Sequence, residues 1–155
     1  IAIISGGHLY RSHEEREMGF RTIIRRQFPH LDIINTVCGH DDFNENYKEV
    51  KHLLKQYPDL MGFYNVGGGV EGMVQAMIDS NISMQTVIVV HNLTPANKEF
   101  LMDGHVNIII HQNMQLAARE TINKLMNILE KKEHKARYLP VDIITKENTT
   151  GFTFN

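Results

Sequence analysis

The chain is 155 residues long, with 16 basic and 18 acidic side chains, a formal net charge of -2, 42% apolar residues, one cysteine and no tryptophan. That length suffices for one domain, or a large part of one, to bury a core, and the charge balance lacks the basic surplus that phosphate-backbone binding needs. Aliphatic runs such as 87–90 and 108–110 fall far short of the roughly 20 residues that cross a bilayer, and Cys38 alone cannot form an intramolecular disulfide, which fits a reducing, cytoplasmic compartment.

Ile1-Ala2-Ile3-Ile4-Ser5 reads as a buried strand with no initiator methionine, signal peptide or capping segment before it, so the chain is expected to be a fragment of a longer polypeptide, cut at a strand start. Ser12, with Glu15 three residues on, has the pattern of a capping box for a helix over 12–28 that Pro29 stops. A second strand is expected over 31–37. Asp42 then caps a helix that carries Tyr47, Val50, Leu53, Leu54 and Tyr57 on one face and ends at Pro58. The third strand is expected over 60–66.

After Gly67-Gly68-Gly69, the spacing of Val70, Met73, Val74, Met77 and Ile78 predicts a helix, and 86–90 is a nearly all-aliphatic fourth strand. Thr94-Pro95 opens the next helix and Gly104 closes it, with a fifth strand over 106–110. Asn113 caps a long helix over about 113–130, and a polar run leads to a last strand over 138–145. Residues 1–146 thus make one domain and 147–155 a loose tail. Continuous aliphatic strands alternating with amphipathic helices predict an α/β fold, a doubly wound, mostly parallel sheet with right-handed crossovers. Such sheets bind ligands at the carboxyl ends of their strands, which directs attention to the loops after strands 1, 3, 4 and 5.

Gly67-Gly68-Gly69-Val70-Glu71-Gly72 satisfies G-x-G-x-x-G after a strand and before a helix, the arrangement that brings a pyrophosphate to a helix N-terminus. The next strand, however, ends in His91-Asn92 with no acidic residue for a ribose hydroxyl, so a tight turn, or a turn whose amides face a polar ligand, competes with a dinucleotide site. No cofactor is expected. His13, His40, His91 and His111 fall near loop edges, but none has zinc-site spacing, and His40-Asp41-Asp42 loses its metal-like character if Asp42 serves as a cap. Ser5, Ser12 and Cys38 lie in no nucleophile elbow, so the chain is not expected to be an enzyme. The strand ends instead supply Tyr10, Arg16, Tyr64, Asn65, Asn92 and Gln112. A guanidinium fork, carboxamides and aromatic faces are what a polyhydroxylated ligand requires, because every buried hydroxyl needs a partner while its C–H face stacks on a ring.

Ile1-Ala2-Ile3-Ile4-Ser5-Gly6, Arg16-Glu17-Met18-Gly19-Phe20, Gly62-Phe63-Tyr64-Asn65, Val89-Val90-His91-Asn92-Leu93-Thr94, Ile109-Ile110-His111-Gln112 and Tyr138-Leu139-Pro140-Val141-Asp142-Ile143-Ile144 occur in the order and spacing of the lactose-repressor (LacI/GalR) family. Over nearly its whole length the chain resembles the C-terminal subdomain of that family's effector-binding region, which has a type I periplasmic-binding-protein-like fold. The resemblance implies a bacterial transcription regulator in which a sugar or related metabolite, held between two subdomains, allosterically controls operator DNA binding by a helix-turn-helix headpiece. Headpiece and N-terminal subdomain would both be absent from this chain, which would otherwise act in a homodimer. The helix about 113–130 would be a crossover element that packs on the missing subdomain and exposes an apolar face without it. The family's ligand arginine falls on Arg16, its polar residue after the fourth strand on Asn92, and its crossover glutamine on Gln112. Its third-strand asparagine falls on Val66, one position beyond Asn65. A periplasmic solute-binding protein of a sugar transporter is the alternative with the same cleft.

Overall fold

A computed structural model describes residues 1–7, 10–82, 86–132 and 138–152. The elements, in chain order, are β1 (Ala2–Ser5), α1 (Arg11–Gln27), β2 (Val37–Cys38), α2 (Phe43–Gln56), β3 (Gly62–Asn65), α3 (Val70–Ile78), β4 (Val87–His91), α4 (Pro95–Asp103), β5 (Ile108–Gln112), α5 (Met114–Leu129) and β6 (Val141–Ile144), followed by a short 3-10 turn. They build one six-stranded sheet in the order β2-β1-β3-β4-β5-β6. Every neighbouring pair is parallel except β5 with β6, where Gln112 faces Val141 and Ile109 faces Ile144. This is the expected mostly parallel α/β architecture. Among the described residues no helix is long and apolar enough to cross a membrane.

The main core lies between the sheet and α2, α3 and α4. Val50, Leu53 and Leu54 of α2 meet Met73, Val74 and Met77 of α3 over Phe63, Ile88, Val90 and Ile109 of the strands. The opposite face carries a smaller cluster, Ile3, Tyr64 and Val66, packed on Phe20 of α1. Three caps form as expected: Asp42 accepts from the Asn44 and Glu45 amides, Thr94 from Asn97, and Asn113 from Leu116. Gly104 ends α4 in the left-handed conformation, at φ 82°.

Three expectations fail. Helix α1 begins at Arg11 after Tyr10, with no side-chain cap. Ser12 lies inside the helix, and Glu15 does not reach back because Arg11 Nε donates to it at 2.8 Å. The strand expected over 31–37 shrinks to Val37–Cys38, because an α1 side chain takes part of its polar backbone. Arg21 donates to the Ile34 carbonyl at 3.3 Å and the Thr36 hydroxyl at 2.8 Å while paired with Glu17. The described part of the tail from 147 is not loose. Asn148 bonds the Thr145 amide and the Ile143 carbonyl, Thr149 is buried, and Phe152 packs on the main core; residues 153–155 lie outside the described residues.

Helix α5 has no buried residue, and Ile122, Leu125, Met126 and Leu129 stand 48–68% exposed along one stripe.

Candidate functional site

A parallel sheet whose strand order turns at β1 and β3 leaves a crevice at their carboxyl ends, where the connections leave in different directions. Here the crevice is a cleft of about 350 Å3. Its walls are His13 and Arg16 from α1, Asp41 before α2, the turn Gly67-Gly68-Gly69 with Glu71 at the start of α3, and His91, Asn92, Thr94 and Asn97 after β4.

Each wall is held by its local fold. One α1 turn separates His13 from Arg16, so both side chains leave the same helix face. Arg16 Nη1 donates to the Val66 carbonyl at 2.7 Å, which fixes the guanidinium at the end of β3. Beneath it, Tyr64 Oη and His91 Nε2 lie 2.8 Å apart, and the Tyr64 ring packs 4.7 Å from Phe20. Asn97 Nδ2 donates to the carbonyls of His91 and Asn92 at 3.2 and 2.8 Å, holding Asn92 at φ 67°.

The turn after β3 is closed from two sides. Asn65, fully buried, accepts from the Gly67 amide at 2.9 Å and donates to the Gly68 carbonyl at 3.1 Å. Asp41 accepts from the Gly68 amide at 2.6 Å. Its carboxylate fills the space where side chains would otherwise be, since a Cβ on Gly6 or Gly67 would fall 2.1 or 2.4 Å from Asp41 Oδ1. Gly69 stands at φ 67° with the Asn46 amide against it, so only glycine fits both the backbone and the space.

Burial governs the electrostatics. Desolvation, with Arg16 and His13 nearby, pulls the His91 pKa down from 6.5 to about 4. Burial also lowers His13, Asp41 partly opposing and Arg16 reinforcing it. Both rings are therefore neutral at pH 7, and each has a buried Nδ1 without a hydrogen-bond partner. Burial likewise lowers the Arg16 pKa and raises that of Tyr64. The cleft is thus lined by a guanidinium, two carboxylates, two imidazoles, two carboxamides and a hydroxyl, a mixed set of donors and acceptors suited to a ligand rich in hydroxyls.

Of the six residues expected at the site, Arg16 and Asn92 line the cleft. Tyr64 is only 7% exposed and lies below it, its ring covered by Phe20 and His91 and so not presented for stacking. Asn65 is consumed by the glycine turn. Tyr10 is 54% exposed, its ring 5.1 Å from that of His13, outside the cleft lining. Gln112 is exposed at the end of β5 opposite Val141 and is not part of the lining. Sequence reasoning missed His13, His91 and Asp41 as site residues. His13 was recoverable from its position three residues before Arg16, and His91 from its place at a strand end; Asp41 stood out only as part of the metal-like triplet His40-Asp41-Asp42. Among the described residues no group of three or more His, Cys, Asp or Glu side chains is placed to hold a metal ion.

A profile described as the periplasmic binding protein domain matches residues 1–133. No curated protein sequence matches significantly. Similar solved structures include a solute-binding protein of an ABC transporter from Burkholderia graminis in complex with D-arabinose, at TM-score 0.89 and 20% identity, covering 99% of this chain and 55% of that one. GanP, a glucose-galactose binding protein from Geobacillus stearothermophilus, aligns at TM-score 0.86 and 20% identity over 95% of this chain and 53% of that one. AraP, an arabinose binding protein from the same organism, aligns at TM-score 0.86 and 17% identity over 99% and 56%. The chain therefore spans about half the length of these structures, and at such identities the likeness concerns the fold.

Proposed function

The chain belongs to the periplasmic binding protein domain family, and on that premise we propose that it is the C-terminal subdomain of a two-lobed effector-binding region that closes on a small polar metabolite, a sugar or sugar derivative. The observation that carries this reading is the cleft itself: a fixed guanidinium, two neutral imidazoles whose buried Nδ1 atoms have no partner, and Asn92 at the carboxyl ends of β1, β3 and β4. Arg16 anchors ligand oxygens, His13 offers its ring to ligand hydroxyls, His91 forms part of the cleft wall, and Asn92 discriminates hydroxyl geometry. Gln112, the last residue of β5 and outside this lobe's cleft lining, is assigned to the ligand by the lactose-repressor resemblance alone. Helix α5 covers the companion lobe, which accounts for its apolar stripe.

The resemblance to the lactose-repressor family supports reading this lobe as part of a cytoplasmic, homodimeric transcription regulator. Ligand binding favours one placement of the two lobes and so changes the fit of a helix-turn-helix headpiece to operator DNA, to the extent that the ligand's affinity differs between the two placements. A transporter solute-binding protein is the second reading, supported by what the similar structures are called. A nucleotide-dependent enzyme is disfavoured because Asn65 and Asp41 already occupy the amides of Gly67 and Gly68.

The coding sequence upstream of Ile1 separates the two main readings. A helix-turn-helix of about 60 residues followed by an α/β half-domain supports the regulator; a charged start, an apolar stretch of roughly 7–15 residues and a small-residue cleavage site supports the secreted protein instead. The ligand claim is tested by calorimetry with a panel of neutral sugars. Binding that Arg16→Ala leaves intact removes Arg16 from the site.

A further inference from the structure

The turn that opens α3 has the form of an anion cradle, and a carboxylate of the chain itself occupies it. Two successive residues, His40 and Asp41, adopt left-handed backbone conformations at φ 52° and 56°, which non-glycine residues rarely do. The kink is held below by Asn46, fully buried, whose Nδ2 donates to the carbonyls of Gly39 and Asp42 at 3.1 and 2.7 Å. It aims Asp41 into the gap between the ends of β1 and β3. There the carboxylate takes the Gly68 amide at 2.6 Å and lies against Gly6 and Gly67. Gly69, the N-cap of α3, has no side chain with which to cap its own helix. The Asp41 carboxylate thus sits on the amide that precedes this N-cap, near the positive end of the helix, where negative charge is favoured.

A second negative charge, Glu71, faces the same space, so among the described lining residues one permanent cation, Arg16, stands against two carboxylates. An incoming phosphate would have to displace Asp41 from its amide or sit beside it uncompensated. We infer that Asp41 is a specificity-determining residue: a built-in anion that fills the cradle and makes the cleft select the unphosphorylated form of its polyhydroxylated ligand. This rests on the reading that the cleft takes a polyhydroxylated metabolite.

The experiment compares wild type, Asp41→Gly and Asp41→Asn, measuring the unfolding temperature in orthophosphate against chloride at matched ionic strength. Both replacements tolerate the left-handed backbone, so the loop keeps its path. Glycine empties the cradle; asparagine retains the shape and removes the charge. Wild type is expected to show only the general stabilisation that phosphate, excluded from protein surfaces, gives any folded chain, so the phosphate-specific shift is each variant's excess over wild type. Asp41→Gly should gain one, corresponding to phosphate affinity on the order of tenfold or more above wild type, and Asp41→Asn a smaller one. A gain of ligand-dependent stabilisation is something that loss of a merely structural contact does not produce. Phosphate stabilisation of wild type equal to that of the variants overturns the inference, as does absence of a gain in both. In parallel, neutral sugars are titrated into wild type and Arg16→Ala. Their failure to bind strikes the polyol reading, whatever the phosphate series returns.

Discussion

Helices α2 and α5 are built from the same local instructions and meet different fates. Each opens on a side-chain cap, Asp42 or Asn113, and runs for 14 or 16 residues with an apolar stripe. Helix α2 buries Val50, Leu53 and Leu54 against α3 and the sheet, whereas α5 buries nothing. Capping and periodicity are properties of the segment; burial depends on what the rest of the chain puts opposite it. Helix α2 has its partner in this chain, whereas no described residue covers the apolar stripe of α5.

The largest expected effect comes from truncating matched leucines. Leu53→Ala should cost about 2–5 kcal/mol, the range for a buried leucine, while Leu125→Ala should stay within about 0.5 kcal/mol, both read by urea denaturation. Equal costs would mean that α5 is buried in solution. Removing the caps sharpens the distinction. Asp42→Ala should lower global stability by about 1 kcal/mol, whereas Asn113→Ala should reduce helical circular dichroism while leaving the midpoint of tertiary unfolding in place.

A smaller effect, confined to acid, separates the cleft from α5. Because the folded-state pKa of His91 lies near 4, below its ordinary 6.5, the unfolded chain binds the proton more readily. Its contribution to stability is therefore complete above about 6.5 and is lost as the pH falls towards 4. Near-ultraviolet signals from the tyrosines should weaken in that interval before the helical signal of α5 does. His91→Gln, which keeps a partner for Tyr64, should flatten the dependence and leave stability at pH 8 nearly unchanged.

The same division explains how much could be read from the residues. The parallel sheet, all five helices and three caps were legible, because each follows from spacing or from a side chain acting within a few positions of itself. The capping box at Ser12 and the long second strand were misread, because Arg11 and Arg21 redirected groups that the pattern assigned to the backbone. In the candidate cleft, Arg16 on α1 and Asn92 after β4 are lining residues that the sequence already marked as polar groups near this edge of the sheet. Asn65 was misassigned because its amide spans the turn that follows it, and no one-dimensional pattern shows a side chain bent back onto its own loop. The role of Asp41, which the sequence marks only as part of a metal-like triplet, was hidden for the opposite reason: its partners, Gly6 and Gly68, are distant in sequence and become its neighbours only when β1 and β3 pair.

The antiparallel closure of the sheet has one more consequence. Gln112 and Val141 sit side by side as register partners at the ends of β5 and β6, so everything from 113 to 140 is a detour between two strand ends already touching. Replacing that detour with an Asn-Gly turn would join them as a hairpin. Since none of the described residues in the detour lines the cleft, the shortened chain would be a minimal scaffold on which the pocket could be re-engineered without the exposed apolar stripe of α5.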